Sequence, residues 1–568
     1  EARLRNTRGL HAILEHYERE YHRRVRSSGR LTFEDLTWVL TREDSPRLAS
    51  TADSEADRLY VNYRLDGTFD HWAVDEFQDT SRRQWQAVAG LIDEIMQDDS
   101  GRRSFFMVGD VKQAIYGWRE GDRRLMGEVA AQYRERFARQ FATAESWRSS
   151  PIVLDAVNAV FDRIAGHERL PEGTREAWRT TWERHTPAPR LSAMPGQAAF
   201  LELDAGSDPD AAVALVLRRI QPWAHRPEPF TAAVLVRANE QGQSLAESLS
   251  AAGIPAVWEG DSAFASFPVV GALLALLHWL QHPGDTFARE HVCMVPAVAP
   301  LMPPDPPAHL CELSRLQALG FAGLLESWLA RLATPDPANR PGDAPEIRLL
   351  LAAARVFDAT GRRDGIDFRE FVNTFRAPDI APAGHVRVMT VHHSKGLEFD
   401  LVILPLSGTG AGLTTIDTQG MLVCEETAGG PGTAPRVKWL LAAPGLLAKC
   451  DPVVRAAAEA QMERDCFEEL CTYYVAMTRA RKGLYLVVPK APEKGEALRF
   501  GDLARQALVG GEAPPAEWSD GEVRLSVLYE RGGAAWYTGV APAPPAPPAA
   551  VPPVPVQPRP RYARRAPS

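Results

Sequence analysis

The chain alternates short runs that are apolar throughout with longer stretches of helical spacing. "HWAV" (71–74) and "SFFMVGD" (104–110) precede the helical "PIVLDAVNAVFDRIAG" (151–166). "GQAAFLELD" (196–204) and "FTAAVLVRA" (230–238) are joined much later by "VRVMTVH" (386–392), "FDLVILP" (399–405) and "GLYLVVP" (483–489). A strand that is apolar on both sides has to be covered on both, the condition met by parallel sheets in α/β proteins. The pattern therefore predicts two α/β domains with parallel sheets, each covered on both faces. Residues 46–190 read as part of the first, and residues 191–290 with 385–505 as the second. Residues 1–45 are expected to be helical, with Thr32 capping "LTFEDLTWVL" and Asp35 in its first turn. A proline-rich, mostly helical insertion is expected at 291–384, an extension at 506–540 and a proline-rich linker at 541–568.

A length of 568 residues exceeds one core and suggests roughly three or four domains. The net charge of -9 does not announce a nucleic-acid binder, although a local basic channel is compatible with it. The six cysteines (293, 311, 424, 450, 466, 471) form no C-x-x-C pair, so reduced thiols of a cytoplasmic protein are expected rather than zinc ligands or disulfides. No apolar run approaches the ~20 residues of a membrane span. The chain begins with Glu1 rather than Met, and "APAPPAPPAAVPPVPVQPRP" (541–560) reads as a polyproline spacer followed by eight residues. Both ends are read as those of a piece of a longer protein.

Five segments carry the chemistry. In "HWAVDEFQDTS", Asp75 and Glu76 stand at the end of a strand, where side chains face the ligand crevice of an open α/β sheet. A short carboxylate there suits Mg²⁺, and a neighbouring one suits activation of water. In "FFMVGDVKQAIYGWREGD" (105–122), Gln113 is placed to bond a phosphate or a water, and Tyr116, Trp118 and Arg119 form a stacking platform for single-stranded bases. "SWRSSP" (146–151) puts Trp147 and Arg148 between a strand and a helix. "VRVMTVHHSKGLEFDLVILP" (386–405) places Thr390, His392, Ser394 and the Lys395-Gly396 turn at a strand end, where backbone phosphates bind. "YYVAMTRARKGLYLV" (473–487) offers Arg479 and Arg481 after a helix. Taken singly, the first four have plainer readings: a surface acidic pair, a core tryptophan, a serine helix cap, a structural histidine.

Together and in this order, the five resemble motifs II to VI of the superfamily 1 helicases of the UvrD/Rep type. "DEFQDTS" with "GDVKQAIY" looks most like the AddA and RecB helicase–nuclease subunits, and the resemblance covers roughly residues 10–505. It implies two RecA-like motor domains of P-loop NTPase architecture with helical insertions, residues 1–45 closing the first insertion. It implies ATP and Mg²⁺ as cofactors, single- and double-stranded DNA as substrate, 3′→5′ polarity, and an AddB- or RecC-like partner in break repair and recombination. Asp75 would hold Mg²⁺, and Glu76 would be the catalytic base. Gln113 would sense the terminal phosphate, and Arg148 and Arg479 would stabilise its charge. Trp147 would stack on adenine, Glu398 would contact the nucleotide, and Tyr116, Trp118 and His392 would touch single-stranded DNA.

Two departures stand out. Cys471 occupies a position where the family commonly has Arg, and the chain contains no Gly-Lys dipeptide, hence no G-x-x-x-x-G-K-[ST] phosphate loop. The expected consequence is that this chain hydrolyses little or no ATP by itself. No D-x-K triplet of the RecB-type nuclease occurs past residue 505. Two other readings stay open: a catalytically inactive DNA-binding or scaffold relative, and a UvrD-like repair helicase without a nuclease.

Overall fold

A computed structural model of the chain describes residues 2–29, 31–41, 69–137, 141, 144–204, 206–220, 230–260, 267–332, 345–375, 385–406, 412–415, 422–426, 436–441, 445–490, 498–510, 516–521, 523–533 and 536–537. The proline-rich stretch at 541–560 lies outside these described residues. The strands in chain order are β1 (His71–Val74), β2 (Ser104–Met107), β3 (Glu145–Ser146), β4 (Thr186–Pro187), β5 (Gln197–Leu203), β6 (Ala232–Val236), β7 (Ala256–Trp258), β8 (Val386–Thr390), β9 (Phe399–Pro405), β10 (Leu422–Glu426), β11 (Arg436–Leu441), β12 (Ala480–Pro489), β13 (Ala516–Ser519) and β14 (Arg524–Gly532).

Eight strands form one sheet in the order β13-β14-β5-β12-β9-β6-β8-β7. From β5 to β7 every pairing is parallel, while β14 adds to β5 antiparallel and β13 to β14 likewise. Alternate residues of these strands face two separate cores. Phe200, Leu235, Leu404 and Leu486 meet the helices Pro151–Phe161, Pro452–Thr478 and Phe500–Leu508. Leu201, Val234, Ile403 and Val487 meet the helices Pro209–Ile220 and Asn239–Ala251. All seven residues of β9 are therefore buried, as the apolar texture predicts.

The first α/β unit differs from expectation. β1 and β2 pair in parallel, but exposed and half-buried residues alternate along both. Trp72, Val74, Phe105 and Met107 pack inward on Phe77, Trp85, Ile92 and Val129. Phe106 points the other way and is 57% exposed. Among the described residues this pair is covered on one face, not two, because the helices Arg82–Met96 and Leu125–Gln132 feed that one core.

Residues expected to sit with this unit as part of 46–190 pack elsewhere. The Ser149 hydroxyl donates to the Ala480 carbonyl (2.6 Å), and the Ser150 amide donates to the Arg481 carbonyl (2.7 Å). By packing, the run from Ser149 to Trp178 lies on the eight-stranded sheet.

A third body is helical. Helices Pro268–Gln281, Thr286–Cys293, Pro306–Arg331, Pro345–Asp358 and Gly365–Thr374 share a core that includes Leu277, Phe321, Trp328, Phe357 and Phe368. This core begins at Val270, so the helix Pro268–Gln281 packs here. The helix Pro306–Arg331 breaks at Gly320 (φ 75°, ψ -177°). There the Asp358 carboxylate accepts the amides of Phe321 and Ala322 (2.9 Å each) and caps the second half. A Cβ at residue 320 would stand 2.6 Å from that carboxylate, so glycine is required twice over.

At the N-terminal end, Thr32 caps the helix as expected and Asp35 returns the bond: the Asp35 amide donates to Thr32 Oγ1 (3.1 Å), and the Thr32 amide donates to Asp35 Oδ2 (3.0 Å). At the other end, the Trp536 indole donates to the Tyr485 hydroxyl (3.1 Å), which bonds Gln197 Oε1 (2.5 Å). Among the described residues no helix is long and apolar enough to cross a membrane.

Candidate functional site

The loop after β1 carries the two acidic residues. Glu76 has φ 52° and ψ 41°, a left-handed conformation that among the described non-glycine residues only Glu120 shares. The strain costs about 1–2 kcal/mol, and such residues cluster at functional sites. The loop is held by its own polar groups. The Glu76 amide donates to Asp75 Oδ1 (2.8 Å), and Gln78 Nε2 donates to Glu76 Oε2 (2.5 Å). Gln78 is buried, and its Oε1 accepts the Asp110 amide (3.0 Å), tying the ends of β1 and β2 together. Gly109 permits this, since a Cβ there would lie 2.5 Å from Gln78 Oε1.

The segment after β2 orients Gln113. Its Nε2 donates to Asp110 Oδ2 (3.0 Å), which leaves Oε1 facing Arg479 Nη2 at 3.5 Å. Burial opposes charge on Asp110, but the Lys112 ammonium (2.8 Å) and the bonds from Lys112 and Gln113 outweigh it and hold the carboxyl below its ordinary range. Tyr474 reaches the same carboxylate at 3.5 Å and bonds His185 at 2.7 Å.

Arg479 follows the helix Pro452–Thr478 and is 1% exposed. It donates to the carbonyls of Val475 (3.0 Å) and Leu397 (3.3 Å). Burial, then the nearby Arg148 guanidinium, pushes its pKa down to about 10, so it remains a cation at neutral pH. Arg148 donates to Glu398 Oε2 (3.2 Å) and to the Thr478 carbonyl (3.2 Å). Glu76, Gln113, Arg148, Glu398 and Arg479 thus converge from both α/β units. Two guanidiniums close enough to repel one another suit a phosphate group.

Lys395 departs from expectation. Its turn is expected to present polar groups to a nucleic-acid backbone. Instead the Lys395 ammonium is folded inward, donating to Asp79 and to the Gln113 carbonyl (2.9 Å), 3.6 Å from Glu76 Oε2. Burial pushes the Asp79 carboxyl up, and Lys395 only partly offsets this. Ser394 is also turned in, donating to the Val391 carbonyl (2.7 Å), and Thr390 Oγ1 accepts the His393 amide (3.3 Å). Sequence position alone could not separate an outward lysine from one drawn into an acidic pocket.

The three expected base-contacting residues do come together. The Tyr116 hydroxyl donates to the His392 carbonyl (3.4 Å), with the rings 6.1 Å apart. Trp118 stands edge-on to Tyr116 at 6.3 Å and is 64% exposed, so it is not a core residue. The Arg119 guanidinium lies 4.5 Å from the Trp118 ring centre. Burial, then the Arg237 charge, holds His392 below its ordinary pKa. Trp147 is exposed, and Arg190, which no motif had pointed to, lies 4.7 Å over its ring.

Residues 2–134 match the family model of the UvrD/REP helicase N-terminal domain, and residues 374–491 match that of the UvrD-like helicase C-terminal domain. Two segments of the chain are therefore similar to the N- and C-terminal domains of UvrD-like helicases. The first match holds Asp75, Glu76, Gln113, Tyr116 and Trp118, and the second holds His392, Glu398 and Arg479. The chain is 25% identical to an ATP-dependent helicase/nuclease subunit of Geobacillus kaustophilus, over 81% of this chain and 42% of the relative. It is 26% identical to the RecBCD enzyme subunit RecB of Mycolicibacterium smegmatis, over 68% and 37%. It is 27% identical to the ATP-dependent DNA helicase UvrD1 of Mycobacterium tuberculosis, over 49% and 32%. The chain therefore spans less than half the length of these curated relatives.

The site has one carboxylate suited to Mg²⁺. Among the described residues no group of three or more His, Cys, Asp and Glu side chains could hold a metal. Asp75 is exposed, and one of its oxygens accepts the Glu76 amide. That donor set fits Mg²⁺ bound by one or two carboxylates and completed by phosphate oxygens.

Proposed function

We propose that this chain is the motor part of a UvrD-like, ATP-dependent 3′→5′ DNA helicase of the AddA/RecB kind, acting in the cytoplasm in break repair and recombination. The observation that carries this is the convergence of Glu76, Gln113, Arg148 and Arg479 from two α/β units, on the same segments that build the Tyr116/Trp118/His392 platform. Polarity, the repair role and an AddB- or RecC-like partner are taken from the resemblance of the five motifs.

In this reading, Arg148 and Arg479 bind the terminal phosphate, and Gln113 links it to the platform through residues 113–118. Glu76 takes a proton from the attacking water, and Trp147 and Glu398 hold the nucleoside. Asp75 would hold Mg²⁺, which when bound neutralises phosphate charge. Nothing in the sequence supplies the amide cradle and lysine for the inner phosphates, so this chain alone hydrolyses little ATP.

The test is anisotropy with a labelled single-stranded oligonucleotide. The chain is expected to bind it, and Tyr116→Ala with Trp118→Ala to weaken binding by about 1–3 kcal/mol per lost stacked base. Absence of binding sinks the proposal. DNA-stimulated ATP turnover by this chain, abolished by Glu76→Gln, would overturn the predicted inactivity.

A further inference from the structure

One face of the helix Pro452–Thr478 runs along the whole segment from Asp110 to Arg123. The Arg123 guanidinium lies 3.7 Å over the Phe467 ring. Glu468 Oε1 accepts the Gly117 amide (3.0 Å), Cys471 Sγ reaches the Val111 carbonyl (3.6 Å), and Tyr474 reaches Asp110. Residues 467–468, 471 and 474 recur at three- and four-residue spacing, so they form one row. Arg479 closes the row on Gln113.

The contact at Glu468 is the unusual one. The residue is half-buried, and the loss of water around its carboxyl pushes its pKa up. Its one side-chain hydrogen bond in the described structure is to a backbone amide, not to a cation. The neighbouring Glu469, by contrast, pairs with Arg237. A carboxylate on a peptide N–H makes a charge-assisted, directional bond. That peptide is Gly117, between the two rings of the platform. A Cβ on Gly117 would run into the Glu468 carboxylate, so glycine lets the backbone come this close.

We propose that Glu468 is the positioning residue of the single-strand platform: by fixing the Gly117 peptide it sets the spread of Tyr116 and Trp118, and it ties that platform to the helix that ends at Arg479. The inference rests on the single-strand reading of those rings. Arg479 stands eleven positions beyond Glu468, about 16 Å along the helix and its cap. A shift of the platform is thereby passed to the arginine as a displacement of one body.

The experiment is anisotropy with a fluorescein-labelled oligothymidylate on the full chain. Glu468→Ala is expected to weaken binding about tenfold, while Glu468→Gln, whose amide oxygen still accepts the Gly117 N–H, stays within about twofold. Glu468→Ala combined with Trp118→Ala is expected to bind no more weakly than Trp118→Ala alone, since both act through one platform. A purely structural glutamate would give additive losses. Should Glu468→Ala fail to fold, Glu468→Asp withdraws the carboxylate by one methylene and is expected to give the same loss at an unchanged unfolding midpoint.

Unchanged or tighter binding by Glu468→Ala or Glu468→Asp, or additivity with Trp118→Ala, overturns the proposal. If Trp118→Ala itself has no effect, or the chain does not bind, the platform reading falls and this inference with it. If Trp118→Ala weakens binding and the Glu468 variants do not, only the role of Glu468 falls.

Discussion

β2 and β9 look alike as sequences, "SFFM" and "FDLVILP", yet they live in different surroundings. β9 lies between two cores and is buried throughout. β2 has one core beneath it and presents Phe106 to the outside. Apolar texture reports that a strand can be covered on both faces, but not how many layers the described chain puts over it. The difference divides the site as well. The carboxylates of Asp75 and Glu76 sit on the thin pair, and Arg148 and Arg479 are anchored on the thick sheet.

That contrast can be broken by mutation. Phe399→Ala in β9 is expected to cost about 3–5 kcal/mol in chemical denaturation, as for any large-to-small change in a closed core. A loss below about 1 kcal/mol would mean that the sheet is looser than described. Next in size is Lys395→Met, at a lysine that joins the two units; the change removes one partner of a buried pair. It leaves Asp79 uncompensated and is expected to cost about 3 kcal/mol at neutral pH. Because burial holds the Asp79 carboxyl up, that cost should shrink on acidification as Asp79 takes a proton.

A smaller effect concerns pH. Burial, then Lys112, lowers the pKa of His185, and burial, then Arg237, lowers that of His392. Below about pH 6.5 the unfolded chain binds these protons before the folded chain does. Their contribution to stability is therefore complete above that pH and is lost as pH falls beneath it. The melting temperature of His185→Gln/His392→Gln should accordingly fall less between pH 7 and pH 5 than that of the parent, on the order of the single-group linkage effect. Equal slopes would place both rings in water. Smallest of all, Phe106→Ser is expected to change stability by no more than about 0.5 kcal/mol. A large loss there would show that the outer face of β2 is covered after all.

Much of the site was legible because its residues sit at strand ends, where polar residues interrupt apolar runs. Asp75, Gln113, Arg148 and His392 were singled out that way, and Arg479 by the helix that precedes it. What escaped was direction and depth. Lys395 sits in a turn that reads as exposed, yet acidic partners from another segment, Asp79 and Glu76, draw it inward. Arg479 reads as a reaching arginine, yet its guanidinium also bonds the Val475 carbonyl and the Thr478 hydroxyl at its own root and the Leu397 carbonyl across from it. Glu468 and His185 carried no local signal, since their partners are hundreds of residues away in the chain. β14 did carry one: Val523, Leu525 and Val527 alternate with polar or exposed residues, a period-two pattern that marks a strand.

The left-handed backbone of Glu76 has a practical corollary. Glycine adopts that conformation without strain, so Glu76→Gly should fold at least as well as the parent while lacking the carboxylate proposed to activate water. A directed-evolution campaign scored on thermal tolerance alone would accept that change and erase the chemistry unnoticed. Any library built on this chain needs a functional readout at position 76 alongside the melting curve.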